Sequence, residues 1–381
     1  MAGLGFQRGD LAWIRGGERV HGWVRASYHC GFALGTEWDL CHEREMTNTA
    51  EDAYRHILTE SIAFLYPAAL RAAALLEVAD HLAGGPRDVA ELAGPTGASG
   101  PYLRRLLRLL ASHGTFREDE DGRFHLTPQA DLLRADAPRS LRAAVLLVTE
   151  DSWWQSAADL AEAVRRGEPA FDRRVGKPFF AHLAEHPEHG ALFDAGMAAY
   201  SAGEIGYLVE GYDFPDSGVM VDVGGGRGGL LLAALRARPG LRGILLDQEQ
   251  VLAGNVLPEL GADDRWTLHP GDFFSAVPAG GDLYTLKNIL HDWSDDQCVR
   301  ILENCRRAMN PGARLLAVDA VIPPGNDPDF GKAIDILMLL LLPGGERTRP
   351  EFERIFERAG FRVTQVIPTP GTVSMIEAVP A

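Results

Sequence analysis

A short apolar run that breaks into glycine, Val221-Asp222-Val223-Gly224-Gly225-Gly226-Arg227-Gly228-Gly229, constrains this chain more than any other stretch. Residues without a Cβ let a buried strand turn sharply into a helix while its amides come close to a ligand. The run therefore predicts a strand, a tight turn, and a helix that begins within Leu230 to Leu235. A second apolar run, Gly243 to Leu246, ends in Asp247, at the tip of the neighbouring strand, where an acid can bind both hydroxyls of a ribose.

Two glycine spacings compete. Gly224, Gly226 and Gly229 satisfy the dinucleotide fingerprint, and Gly224, Gly226 and Gly228 the looser pattern of S-adenosylmethionine enzymes. A third apolar run, Trp266 to His269, leads into Gly271-Asp272-Phe273-Phe274, which offers an acid to an adenine amino group and an aromatic face to its ring. Then comes Leu286-Lys287-Asn288-Ile289-Leu290-His291-Asp292-Trp293-Ser294-Asp295-Asp296. Together with the Asp247-Gln248 pair and a late Gly344-Gly345-Glu346-Arg347-Thr348, this order resembles the S-adenosylmethionine-dependent small-molecule O-methyltransferases of plant phenylpropanoid and bacterial natural-product pathways. The resemblance runs from about Glu51 to the C-terminus.

The alternation of strands and helices from Val219 onward predicts an α/β fold with a doubly wound, mostly parallel sheet and ligands at the strands' carboxyl ends. Predicted strands are Val219 to Val223, Gly243 to Leu246, Trp266 to His269, Leu283 to Leu286, Arg314 to Ala320, Arg362 to Pro368 and Thr372 to Val379. The resemblance implies a Rossmann-like sheet closed by an antiparallel C-terminal hairpin. Ahead of it, a short helix over Asp88 to Ala93, a longer one capped by Ser99, and a hairpin with the acidic turn Glu118-Asp119-Glu120-Asp121-Gly122 look like a winged helix. The resemblance implies that residues 46–150 form an α-helical winged-helix dimerisation domain, 151–212 a helical linker and pocket wall, and 213–381 the catalytic domain. Residues 1–45 read as an irregular extension, with Met46 as the expected start; their His21, His29, His42, Cys30 and Cys41 lack tight metal-ligand spacing.

Composition narrows the partners. A formal charge of -16 repels nucleic-acid phosphates, although Arg104, Arg105 and Arg108 on the winged helix's third helix keep a DNA-binding regulator as a rival. The longest apolar stretch, Ile336 to Leu342, is too short for a membrane helix, and four dispersed cysteines argue against a disulfide scaffold or a zinc site. The expectation is a cytoplasmic enzyme that uses neither nucleic acid, membrane nor metal, and the resemblance implies a homodimer.

Methyl transfer from a sulfonium requires the acceptor oxygen, methyl carbon and sulfur in line, and a base for the acceptor's proton. His291 lies just beyond the fourth strand and matches the family's catalytic histidine. The resemblance implies Asp319 or Glu346 as the acid on its other nitrogen, with Asp319, inside the apolar Leu315 to Ile322 run, the favoured one. Glu346 follows a loop one residue shorter than is usual in relatives. Cofactor contacts are expected from Asp222, Gly224, Gly226, Asp247, Gln248, Gly271, Asp272, Phe273 and Lys287. The acceptor pocket is expected from Trp154, Phe180, Phe193, Met197, Asn288, Asp292, Asp335 and Met338. A nicotinamide oxidoreductase, or an S-adenosylmethionine-binding relative with N-, C- or non-methylating chemistry, would use the same glycine loop.

Overall fold

The computed structural model describes residues 49–381, and Arg55–Ala381 form one compact unit. The expectations placed on residues 1–45 and on Met46 lie outside the described residues. Near the N-terminus, helix Val89–Thr96 is entered through a capping box in which Asp88 accepts from the Glu91 amide and Glu91 from the Asp88 amide. Helix Gly100–Ser112 follows. Ser99 stands at its N-cap as expected but makes no side-chain cap hydrogen bond, Pro101 already starting the helix without an amide donor.

Strands β1 (Phe116–Glu118) and β2 (Phe124–Leu126) pair antiparallel as the wing. Asp119 Oδ1 accepts from the amides of Asp121 and Arg123, so this acid organises the turn. Arg104 and Arg108 both pair with Glu118, at 3.1 and 3.2 Å, and turn to the molecule's own wing instead of a groove.

The catalytic half carries β3 (Ser217–Val223), β4 (Gly240–Asp247), β5 (Trp266–Pro270), β6 (Gly281–Lys287), β7 (Met309–Ile322), β8 (Arg347–Thr348), β9 (Phe361–Pro368) and β10 (Val373–Pro380). Their order is β5-β4-β3-β6-β7-β10-β9, with β8 alongside β7. The strands run parallel except β10, which is antiparallel to both β7 and β9 and gives the expected terminal hairpin. β7 begins five residues before its predicted start at Arg314: the Met309–Ala313 segment reaches Gly281 and holds too few apolar residues to signal a strand.

The sheet reads as continuous apolar runs because both of its faces are covered. Met220, Leu245, Leu316 and Met375 pack on one side with Leu231 and Leu235; Val221, Leu246, Leu315 and Ile376 pack on the other with Ile301, Leu302 and Phe356. Burying such a side chain fully contributes roughly 1.5–3 kcal/mol, which fixes the register. Cys298 and Cys305 behave as small apolar residues, both buried in the second of these layers. Strand order reverses between β3 and β6, so the crevice for ligands opens at their carboxyl ends.

Candidate active site

The glycine loop leaves β3 with φ of +66° at Gly224, +60° at Gly226 and +81° at Gly228, while Gly229 already begins helix Gly229–Ala237. The left-handed positions are those of the looser glycine pattern, not of the dinucleotide fingerprint. No atom lies within 4 Å of where a Cβ on Gly226 would stand, so the loop leaves open space there. Asp247, at the end of β4, binds this loop directly: its Oδ2 accepts from the Gly226 amide at 2.8 Å and its Oδ1 from the Gln248 amide at 2.7 Å. Burial raises the Asp247 pKa against those two bonds. Asp222 is fully buried, accepts from Thr285 Oγ1 at 2.6 Å, and keeps Oδ2 without a hydrogen-bond partner; burial pushes it up to about 6.

Beyond β5, the Gly271 amide donates to the Asp247 carbonyl. The exposed Asp272 accepts from the Phe274 amide and from Ser275 Oγ, which shapes the turn that presents Phe273. Lys287, the last residue of β6, meets Glu204 Oε2 at 2.8 Å, both side chains at least nine-tenths buried. An orphaned acid oxygen, a buried ammonium, an open space at the glycine loop and an aromatic face make up a donor set that fits an adenosine carrying an amino-acid head.

Asn288 then turns the chain through φ +54°, a conformation asparagine tolerates better than most residues. Its amide is tied to the Val318 carbonyl, and the turn delivers His291 to the end of the crevice. Ser294, not His291, occupies the N-cap of helix Asp295–Ala308. His291 is 8% exposed and surrounded by acids: Nδ1 meets Glu346 Oε1 at 2.7 Å and Asp319 Oδ1 at 3.6 Å, and Nε2 meets Asp292 Oδ1 at 3.3 Å. Burial lowers the imidazole pKa, but the charges of Asp292, Glu346 and Asp319 and the Glu346 hydrogen bond outweigh it and hold it up at about 10. Burial likewise raises Asp292 to about 6 and raises Asp319.

The hydrogen-bonding partner of Nδ1 is therefore Glu346, against the expected preference for Asp319, both of whose carboxylate oxygens lack a hydrogen bond. The reason lies in the Gly344-Gly345 loop. A Cβ on Gly344 would strike the His291 carbonyl oxygen and the Trp293 amide, so this backbone lies directly on the 291–293 turn and carries Glu346 to the ring. Arg347 fastens the contact, donating to the carbonyls of Leu290, Trp293 and Gly345 and to Asp295. Asp335, expected in the acceptor pocket, accepts from the Glu346 amide at 2.9 Å and steadies the same loop. Nδ1 and oxygens of Asp319 and Glu346 also lie within 4.8 Å of one another, a grouping able to hold a cation. The expectation of no metal rested on the absence of a dense acid run, and the fold gathers these ligands from segments far apart in the chain.

Aromatic rings of the linker pack against the turn that carries His291, through Trp293. Phe180 stacks on Trp293 at 5.5 Å and meets Phe193 edge-on at 6.0 Å, and Trp293 in turn packs edge-on against Phe274 at 4.7 Å and Phe273 at 6.0 Å. Trp293 thus joins the two sides of the crevice. As part of His291-Asp292-Trp293 it was in view in the sequence without being assigned a role, and Glu204 carried no sequence signal. Met197 packs at the edge of the same apolar cluster. Met338 is buried within it and serves as core, and of the tryptophan pair it is Trp153 that packs on Phe179, while Trp154 is half-buried beside it.

A parallel sheet that reverses order at a glycine loop, with an acid on the next strand, defines the Rossmann-like class of cofactor-binding enzymes. The comparisons narrow it. The O-methyltransferase domain family matches residues 157–362, and the O-methyltransferase dimerisation domain matches residues 60–136. A phenazine O-methyltransferase of Lysobacter antibioticus is 44% identical over 313 residues, covering 82% of this chain and 92% of that protein. The 8-amino-8-demethylriboflavin N,N-dimethyltransferase of Streptomyces davaonensis is 36% identical, covering 88% and 96%. The SAH-bound structure of CalO1, a methyltransferase in calicheamicin biosynthesis, superimposes with a TM-score of 0.80 at 43% identity, covering 87% of this chain and 99% of that one. The chain belongs to the S-adenosylmethionine-dependent O-methyltransferase family of natural-product biosynthesis.

Proposed function

We propose that this enzyme methylates a hydroxyl group on a fused or substituted aromatic small molecule, with His291 as general base. The observation that carries the reading is the buried imidazole held by Glu346 at 2.7 Å, two residues before the Trp293 ring on which Phe180 stacks. S-adenosylmethionine, when bound, supplies a methyl carbon made electrophilic by its sulfonium. Asp222, Asp247, Gly224, Gly226, Phe273 and Lys287 would hold it at the β3 and β6 ends. The aromatic wall, with Met197, takes the acceptor by apolar burial and points its hydroxyl at Nε2.

Both ring nitrogens face carboxylates, so the resting ring is an imidazolium. Turnover needs one proton fewer, as imidazole beside a phenol or imidazolium beside a phenolate. A ring held up at about 10 lies close to a phenol's ordinary value of about 10, so the proton passes between them at little cost. Glu346 fixes the ring's orientation and stabilises its charge while the oxygen–carbon bond forms and the carbon–sulfur bond breaks.

The phenazine relative favours a fused aromatic acceptor, and the riboflavin relative favours a second reading in which an aromatic amine is methylated. Incubation with isotopically labelled S-adenosylmethionine and matched hydroxy- and aminophenazines distinguishes them by product mass and position. Label on oxygen is the expected result; label on nitrogen alone would replace the first reading with the second.

We further propose a homodimer. Ile57, Leu58, Ile62, Phe64 and Leu65 are 46–68% exposed at the start of the dimerisation-domain region, an apolar face that a second copy would cover. An 18-residue window within Ala50–Leu75 reaches a mean hydropathy of 1.2, enough for a membrane helix by length and composition alone, so the test is run without detergent. Light scattering after size exclusion, without detergent, should give twice the chain mass.

A further inference from the structure

Asp319 is fully buried near the carboxyl end of β7, and neither of its carboxylate oxygens has a hydrogen-bond partner. Glu346 keeps its Oε2 unpartnered in the same way. Three acceptor oxygens are thus withdrawn from water beside one imidazole with no group donating to them, a state that costs stability. The proton chemistry uses one carboxylate on Nδ1, the Glu346 bond at 2.7 Å. Asp319 stands 3.6 Å from the same nitrogen without a bond of its own. Nδ1, an Asp319 oxygen and a Glu346 oxygen all lie within 4.8 Å of one another. Ligand atoms at about 2.0–2.1 Å from one tetrahedral zinc ion are roughly 3.3 Å apart, a spacing between the two separations found at Nδ1. The backbone fixes all three: Asp319 lies opposite Ser374 of β10 in the sheet, Asp335 accepts from the Glu346 amide, and Arg347 donates to the carbonyls flanking His291.

We infer that His291 Nδ1, Asp319 and Glu346 form an inhibitory site for a divalent transition ion of the zinc class. One imidazole nitrogen and two carboxylates suit zinc, whereas magnesium and calcium call for six or more oxygens, several of them from water, which a site this buried does not offer. Binding releases the Nδ1 proton to solvent, and the ring keeps its other hydrogen on Nε2. Nε2 then has no lone pair with which to take the acceptor's proton. A ring fixed in that tautomer is no base. The inhibition rests on His291 as the base proposed above, while the uptake of the ion does not. Nothing in the glycine loop is touched, so the methyl donor should bind as before.

Titration of the metal-free, full-length protein with cobalt(II), followed by visible absorption, reads the site without turnover. The wild type should take up an ion that zinc displaces, and Asp319→Asn and Glu346→Gln should each weaken that uptake by about tenfold or more, as for a lost ligand. Ions held by histidines elsewhere in the chain are common to all three proteins and cancel from the difference. Retained affinity for S-adenosylhomocysteine reports an intact fold, and should Asp319→Asn fail to fold, Glu346→Gln alone carries the test. In the methylation assay zinc should inhibit the wild type, EDTA should restore it, and the zinc concentration for half inhibition should rise about tenfold or more in Asp319→Asn, each protein measured against its own zinc-free rate. Equal cobalt affinity in the wild type and both variants, or equal zinc inhibition in the wild type and Asp319→Asn, would overturn the site. Uptake that depends on both acids yet leaves turnover untouched would overturn the inhibition, and with it His291 as the base.

Discussion

Two buried charge clusters stand at the carboxyl ends of β6 and β7, and they are built on opposite principles. At Lys287 and Glu204 one cation meets one anion, and the pair is neutral. At His291 one imidazole meets Asp292, Asp319 and Glu346, and negative charge is in surplus. A neutral pair can be opened by a ligand of mixed charge and closed again, so it suits reversible binding. An acid surplus raises the affinity of its imidazole for a proton, so it suits proton abstraction. The difference separates binding from chemistry within one crevice.

The sharpest way to break that comparison is to remove the imidazole. His291→Ala should lower kcat by ~10²–10⁴-fold, as expected for loss of a general base, while the calorimetric affinity for S-adenosylhomocysteine stays near wild type. A variant that turns over at an undiminished rate would end the assignment of the base.

Removing acids should sharpen the comparison next. Glu346→Gln should cost more in kcat than Asp319→Asn, about tenfold to a hundredfold against a smaller loss, because only Glu346 makes the 2.7 Å bond. The pH profile carries the sign. If His291 is the base proposed above, it works in its deprotonated form, and kcat/KM of the wild type should climb about tenfold per pH unit from neutrality toward its raised value of about 10. Glu346→Gln removes a carboxylate that supports the imidazolium, so the ring's pKa falls and the midpoint of the profile moves to lower pH. A midpoint that stays in place would show that Glu346 does not act on the ring.

The effect expected at the glycine loop falls on binding and not on turnover. Asp247→Ala frees the Gly226 amide and should weaken S-adenosylhomocysteine binding by roughly 1.5–3 kcal/mol, with kcat at saturating cofactor changed much less. The smallest effect expected is that of chelation. The His291, Asp319 and Glu346 grouping could accept a divalent ion, yet a base needs its acids free, so treatment with EDTA should leave the rate unchanged or raise it slightly.

The parts of this architecture that act through local sequence were readable from it. The turn at Gly224 to Gly228 and the winged hairpin each depend on residues a few positions apart, where backbone conformation and apolar alternation leave a direct trace, and Asp247 is marked by the apolar run that it ends on the neighbouring strand. The ranking of Asp319 over Glu346 failed for the complementary reason. Which acid reaches Nδ1 depends on how closely the 344–346 backbone lies on the 291–293 turn, a contact made across 55 residues of chain and held by Arg347. The Lys287 and Glu204 pairing is of that kind too, since nothing in the linker's composition singles out position 204. Trp153 and Trp154 differ only in the side of the helix each presents, and only the packed helix shows which one is buried.

Arg347 carries one more implication. By donating to the carbonyls of Leu290, Trp293 and Gly345 at once, it makes the ring and its acid a single rigid jaw. The opposing jaw, built on the linker helices around Phe180, Phe193 and Met197, packs through the apolar side chains of those three residues. On the reading proposed above, that second jaw can change shape to suit another guest while the first keeps its imidazole and acid in register.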